Sequence, residues 1–303
     1  MIQRYVFPET IQSCLEELER HSGQARIIAG GTDLVLALQR GEHSPSILLD
    51  ITRILELEGI TGEADRIRLG ARVTHAVCAS SPLIRRSATC LAEACSSVGS
   101  PQVRHTGTVV GNVVNAQPAA DSAIALIAMG AEARIVSTQG ERAERVEDLY
   151  KGIGESRIDS TRELLAEIGI PLTKPGQGSA FQRVAPRNAM GLPVLNGAVW
   201  ISLREHLIAD VRIALGPVSD RPFRPRKTEA ILRGSRWDHA GLMDEACRAA
   251  AEEANPRDSL LRGSASYRRG LTQSVTRRLL EQAIARTKHD LTSLSSAGRL
   301  QRR

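Results

Sequence analysis

Two glycine-bearing loops hold the residue types from which a chemical site could be built. The first is Ile27-Ile28-Ala29-Gly30-Gly31-Thr32-Asp33-Leu34, an apolar, β-compatible run that turns through paired glycines into a helical pattern. Such a bend gathers main-chain N–H groups, the arrangement that cradles a phosphate or diphosphate. Glycine suits it because no side chain blocks close approach and positive φ is accessible. The spacing is neither G-x-G-x-x-G nor G-x-x-x-x-G-K-[ST], so the nicotinamide-dinucleotide fingerprint and the P-loop are absent. Read alone, the segment serves either as a phosphate cradle or as an ordinary strand-to-helix turn. The second loop runs from Gly107-Thr108-Val109-Val110-Gly111-Asn112 to Asp121, with Asn115 and Gln117 between. Its hydroxyl and amide side chains suit a polar ligand. Asp121 stands just before a helical pattern, where an N-cap, worth about 1 kcal/mol, competes with ligand contact.

The elements that must position these loops follow from periodicity. Thr10 caps a helix whose Ile11, Cys14, Leu15 and Leu18 share a face. Ala25–Ala29 and Ser46–Ile51 read as strands, with a helix from Leu34 to Gly41 between them. Arg66–Leu69 alternates as a strand, Thr74 caps a short helix, and Leu91, Ala94, Cys95 and Val98 mark another. Ser100–Asp121 reads as loop-rich, followed by a helix from Ser122 to Met129, a strand from Glu132 to Val136, a hairpin turn at Gln139-Gly140 and a strand from Leu164 to Ile170. Lys174-Pro175-Gly176-Gln177-Gly178 is the linker. Beyond it come three strands (180–184, 195–203, 209–215), then helices near 226–232, 242–253 and 267–285.

Composition narrows the function classes. The 303 residues, 42% of them apolar, suffice for two buried cores. No apolar run reaches membrane-spanning length and the N-terminus lacks a signal-peptide pattern, which predicts a cytoplasmic chain with no membrane partner. Eight aromatic residues (two Trp, three Tyr, three Phe) are too few for a nucleic-acid stacking platform. The five cysteines (Cys14, Cys78, Cys90, Cys95, Cys247) are scattered and odd in number, fitting neither a disulfide framework nor a four-cysteine iron–sulfur site. Residues 221–303 hold 18 basic and 9 acidic side chains against 22 and 25 in residues 1–220. This basic third reads as a solvated Arg-rich helical surface or as a face for an acidic protein partner.

Together and in this order, the A-G-G-T-D-L segment at 29–34, P-Q-V-R-x-x-G-T-x-x-G-N at 101–112 and N-A-x-P-A-A-D-S at 115–122 resemble the FAD-binding (medium) subunit of the molybdenum hydroxylases. This family includes the medium subunits of carbon monoxide dehydrogenase and bacterial xanthine dehydrogenase. The resemblance continues through Gly178–Arg183, Arg187, Ile213–Val218, Pro222–Arg224 and Ala265–Arg269, nearly the whole chain to about residue 288. It implies an α+β fold: a vanillyl-alcohol-oxidase-type (PCMH-type) FAD-binding domain over 1–175, in subdomains of about 1–57 and 58–175. A C-terminal domain over 176–288, with a three-stranded antiparallel sheet and helices, would follow, and 289–303 would be a disordered tail. The implied cofactor contacts are Ile27 to Leu34 (Ile27, Ile28, Ala29, Gly30, Gly31, Thr32, Asp33, Leu34), Thr108 to Asn112 (Thr108, Val109, Val110, Gly111, Asn112), Asp121, Leu164 or Leu165, and Arg183. No catalytic or metal-binding side chain is implied.

The implied activity is electron transfer from a partner's [2Fe–2S] cluster through FAD to NAD or another acceptor, beside a molybdopterin-binding large subunit and a [2Fe–2S] small subunit. Xanthine dehydrogenase is the branch it looks most like. The alternatives are a stand-alone flavin reductase and a flavin-poor scaffold. Three departures bear on the transfer. Val110 replaces the first of two paired glycines; if that position needs φ > 0, a β-branched residue there costs about 1–3 kcal/mol. Gly191 stands where an acidic residue is common. His105 stands where Asn is common and reads as a surface-loop histidine. Arg183 occupies a frequent lysine position, and the two cations are not interchangeable.

Overall fold

In the computed structural model, residues 2–187 and 190–300 are described, with side chains through Thr287. Thr10 accepts the Ser13 amide while Ser13 returns a hydroxyl to the Thr10 amide, a reciprocal cap that starts α1 (Ile11–Arg20) and turns Cys14, Leu15 and Leu18 inward. Strands β1 (Arg4–Val6), β2 (Ala25–Ile28) and β3 (Ile47–Asp50) form a parallel sheet in the order β1-β3-β2. Parallel neighbours need crossovers: α1 links β1 to β2, and the short α2 (Leu34–Gln39) links β2 to β3. The first glycine loop is thus the β2–α2 connection.

The second unit is a five-stranded sheet paired antiparallel throughout, β4-β5-β10-β6-β7. Its strands are β4 (Ile60–Gly62), β5 (Arg66–Gly70), β6 (Glu132–Ser137), β7 (Gly140–Arg145) and β10 (Glu163–Pro171), with the small hairpin β8 (Tyr150–Gly152) and β9 (Glu155–Ser156) before the last. Between β5 and β6 lie α3 (His75–Ser80), α4 (Pro82–Ser87), α5 (Thr89–Ser97), α6 (Pro101–Thr106), α7 (Val109–Val114) and α8 (Asp121–Met129). Ser100–Asp121 is therefore not the loop-rich stretch its Gly and Pro content suggests. Ser100 accepts the Val103 amide with Pro101 at the first helical position, and Thr108 accepts the Gly111 amide. At N1 a missing N–H costs nothing, so this proline starts a helix.

All nine residues of α8 are buried. A helix apolar around its whole circumference must be covered on every side. Strands β12 (Leu195–Arg204) and β13 (Leu207–Gly216) cover one flank of α8, and α5 and β10 cover others. With β11 (Gln177–Val184) they form the antiparallel sheet β11-β12-β13. Seven successive buried residues, Leu195–Ile201, agree with its central strand being covered on both faces. Helices α9 (Arg226–Leu232), α10 (Leu242–Glu253) and α11 (Ala265–Leu300) follow, α11 packing on β11 and β12. The chain is thus a parallel α/β unit and an antiparallel unit, then a three-stranded sheet with helices. Gln177 and Gly178, expected in the linker, already belong to β11. The backbone of α11 runs on to Leu300, through most of the 289–303 tail expected to be disordered, whereas the side chains beyond Thr287 and residues 301–303 lie outside the described residues.

Glu229, 2% exposed, fastens α9 to the sheet: it takes two hydrogen bonds from Arg224 (2.8 Å each) and one from the Ile213 amide (2.9 Å). Removing one partner of a buried pair strands the other. Glu229→Ala is expected to cost about 3–5 kcal/mol in urea unfolding; a loss under about 1 kcal/mol would show that water replaces the carboxylate there.

Candidate functional site

The β2–α2 turn and the α6–α7 junction touch. A methyl group added at Gly30 would overlap the Thr106 carbonyl and come within 3.0 Å of the Gly107 Cα. Gly31 has a different reason to be glycine, its φ of 66° lying in the left-handed region. Ile28 is buried at the end of β2, the Ile27 amide donates to the Ser160 carbonyl (3.1 Å), and Asp33 stands at the N-cap of α2 without a side-chain cap bond. The second loop is pinned from the other side by a bridge between Thr74 and Thr108, in which His75 N–H donates to the Gly107 carbonyl (3.1 Å) and Val109 N–H to the Val73 carbonyl (3.0 Å).

Where the loops meet, main-chain donors are left over. Among the described residues, the amides of Gly30, Gly31, Thr32 and Asp33 donate to no acceptor, nor do those of Thr108 and Val110. Buried or half-buried N–H groups are seldom orphaned without a ligand or water to receive them. Two more groups line the crossing. A side chain at Gly107 would sit 3.2 Å from the Thr32 hydroxyl and 3.7 Å from the His75 ring. His75 is 2% exposed, and its Nδ1 has no partner among the described residues. Burial, with Arg104 nearby, pushes its pKa down to about 4, so the ring is neutral near pH 7. The arrangement is a cluster of dipolar donors suited to a diphosphate-sized anion, and burial pushes the pKa of the Asp33 carboxyl in the same loop upward. The sequence reasoning passed over His75, whose one signal is its place directly after the capping Thr74.

The remaining expected contacts fall differently. Val109 and Val110 are buried on α7, Gly111 is exposed, and Asn112 accepts from the Ser122 hydroxyl (2.7 Å), tying α7 to α8. Val110 does not occupy the left-handed region, so the backbone penalty expected of a β-branched residue there does not arise. Asp121 is the first residue of α8 and makes no cap bond, contrary to the N-cap expectation. Its buried carboxylate instead accepts from Asn196 Nδ2 (2.5 Å) and Ser97 Oγ (3.3 Å) and lies 3.3 Å from Arg183 Nε. Burial raises its pKa and Arg183 opposes the rise. Arg183 also donates to the carbonyls of Ser97 and Gly191, so Gly191 contributes its main chain to that clasp. Asn196, fully buried and not singled out beforehand, was signalled by an amide inside an apolar strand. Leu164 and Leu165 point into the core from β10, which leaves only main-chain atoms free to reach a ligand. His105 is exposed on α6, as expected of a surface histidine, though on a helix and not in a loop.

Residues 1–173 match the family described as the FAD binding domain in molybdopterin dehydrogenase, and residues 180–283 the CO dehydrogenase flavoprotein C-terminal domain. The chain is 31% identical over 290 residues to the caffeine dehydrogenase subunit beta of Pseudomonas sp. (strain CBB1), covering 94% of this chain and 96% of that one. It is 28% identical over 263 residues to a putative xanthine dehydrogenase FAD-binding subunit of Escherichia coli (strain K12), covering 86% and 89%. A chain in the structure of carbon monoxide dehydrogenase from Hydrogenophaga pseudoflava superposes with a TM-score of 0.89 at 26% identity, covering 94% of this chain and 98% of that chain.

Because Val110 is a buried helical side chain, restoring a glycine there removes packing and helix propensity together. Val110→Gly is expected to lower stability by about 2–4 kcal/mol in urea unfolding. A variant as stable as the parent would return the position to the strained class.

Proposed function

This chain belongs to the family of FAD-binding subunits of the molybdopterin dehydrogenases, and from that membership we propose that it relays electrons between a companion's [2Fe–2S] cluster and a terminal acceptor such as NAD. The companions in this reading are a molybdopterin-binding large subunit and an iron–sulfur small subunit, with chemistry of the xanthine dehydrogenase kind. The observation that carries it is the crossing of the two loops at Gly30, where unpaired amides from both gather.

The residues present fit FAD. The amides of Gly30 to Asp33 and of Thr108 and Val110 would receive the diphosphate, with Ile27 to Leu34 and Thr108 to Asn112 forming the walls. Glycine at 30 lets the two main chains touch, since a Cβ there would lie 2.0 Å from the Thr106 carbonyl oxygen. Bound FAD supplies the redox chemistry, which no side chain here needs to supply. The protein's own part is position and electrostatics. Neutral His75 adds no full charge to the crossing, and the Asp121–Arg183–Asn196 clasp fixes the start of α8 behind Asn112. Asp121, Arg183 and the main chain at Leu165 would act from behind this shell. The cysteines take no part: all five are unpaired and buried, and burial pushes Cys14 and Cys90 up to about 12 and Cys247 to about 11. Among the described residues no group of three or more His, Cys, Asp or Glu side chains is placed to hold a metal, so the iron–sulfur centre is assigned to a companion. With Val110 unstrained, the flavin-poor scaffold loses one of the two departures that favoured it and keeps only Gly191.

The test is FAD retention by Gly30→Ala. The parent chain is expected to purify yellow with stoichiometric FAD; the variant, its loops forced apart, to bind FAD roughly tenfold or more weakly while keeping its circular dichroism. A variant that binds like the parent would overturn the crossing as the diphosphate site. A parent that rejects added FAD would overturn the relay.

A further inference from the structure

Between α10 and α11 the chain makes a turn held from inside. Ser259 and Gly263 exchange main-chain hydrogen bonds (3.1 and 2.9 Å), and the Ser259 hydroxyl accepts the Leu261 and Arg262 amides (3.3 and 3.2 Å). Asp258 accepts the Ala265 amide at the start of α11 (2.6 Å). Gly263, at φ 86°, lies against the Tyr267 ring. A loop so fastened is rigid before it meets anything. Yet it holds Leu260 fully in solvent (107% exposed) and Leu261 nearly so (73%), with the half-exposed Tyr267 beside them. Adjacent leucines held outward on a stapled turn are unlike the single exposed apolar residues common on protein surfaces.

The charge around this knob is one-sided. Arg257, Arg262 and Arg268 lie close together, and burial with the other two guanidinium groups lowers the pKa of Arg268. Arg268 spends its donors on the carbonyls of Val194, Arg257 and Pro217. Among the described residues no carboxylate pairs with Arg257, Arg262 or Arg268, and Arg262 Nε is sealed from water without an acceptor. The nearest acid in sequence, Asp258, is committed to a main-chain amide.

We propose that the Ser259–Gly263 turn is the docking knob of this subunit for a companion chain, whose receiving surface is an apolar pocket for Leu260 and Leu261 edged by carboxylates that meet Arg257 and Arg262. The proposal rests on the reading of this chain as one subunit of a complex. A second copy of the chain fits poorly, because a two-fold contact sets each patch against itself and would oppose arginine to arginine. Pre-ordering of the turn lowers the entropy lost on association, and paired leucine and arginine anchors concentrate binding in few residues.

The test uses the full chain, tagged and co-expressed with its molybdopterin-binding and iron–sulfur companions. Leu260→Ser/Leu261→Ser is expected to reduce co-purified companions roughly tenfold or more, with FAD content and thermal midpoint unchanged. Arg257→Glu is expected to do the same, and added salt to weaken the parent complex. Should the double variant melt earlier, Leu260→Ser alone decides, since that side chain lies wholly in solvent. Companions retained at parental stoichiometry would overturn the proposal. So would a parent chain that self-associates through these leucines, becoming monomeric in the variant. A parent that brings down no companion sinks the subunit reading itself, and this docking site with it.

Discussion

Everything at the candidate site depends on one steric contact, the main chain of Gly30 against the main chain of Thr106 and Gly107. The two sides come from different units: Gly30 lies in the turn after β2 of the parallel unit, while Thr106 and Gly107 lie in the helical insertion of the antiparallel unit. Their approach is closer than any side chain allows, so the two subdomains mate through backbone alone. The mating leaves unpaired amides on both sides, and an anion or water must satisfy them. Binding capacity here is a by-product of how two α/β pieces meet.

Much of this was legible in the sequence because it rests on local signals. Thr10 and Thr74 announced their helices, Gln139-Gly140 its hairpin, and the apolar runs in 180–215 the three strands that follow the linker. What failed was composition used as a proxy for irregularity. Glycine, proline and amide side chains made 100–121 look like loop, whereas Ser100-Pro101 and Thr108 are helix-starting signals of the same kind as Thr10. Val110 was judged by the residue it replaces, and its conformation turned out to be helical.

Long-range partnerships could not be read. Nothing local to Asp121 tells that Asn196, Ser97 and Arg183 will take its carboxylate, because Asn196 and Arg183 come from the third sheet packed on α8 and Ser97 from the end of α5. The basic C-terminal third was expected as solvated helical surface or as a face for an acidic protein partner, and part of it is interior. Arg224 is held by Glu229, and Arg268, 3% exposed, is spent on carbonyl oxygens. Arginine tolerates this because its five donors can be satisfied without a counter-charge, although the charge itself then remains unneutralised. Net charge is additive along a chain, but its placement is decided by topology.

The helix α8 has a wider implication. Its circumference is shared between the flavin-binding part and the last sheet, and one contiguous apolar cluster includes Phe181, Ala198, Trp200 and Ala214 together with residues of the first 171. The boundary marked by the two family matches is therefore a seam in ancestry and not in mechanics. Severing the chain at its polar connector would bare a greasy cylinder on one fragment and its cover on the other. The two halves are bound to melt as one cooperative body.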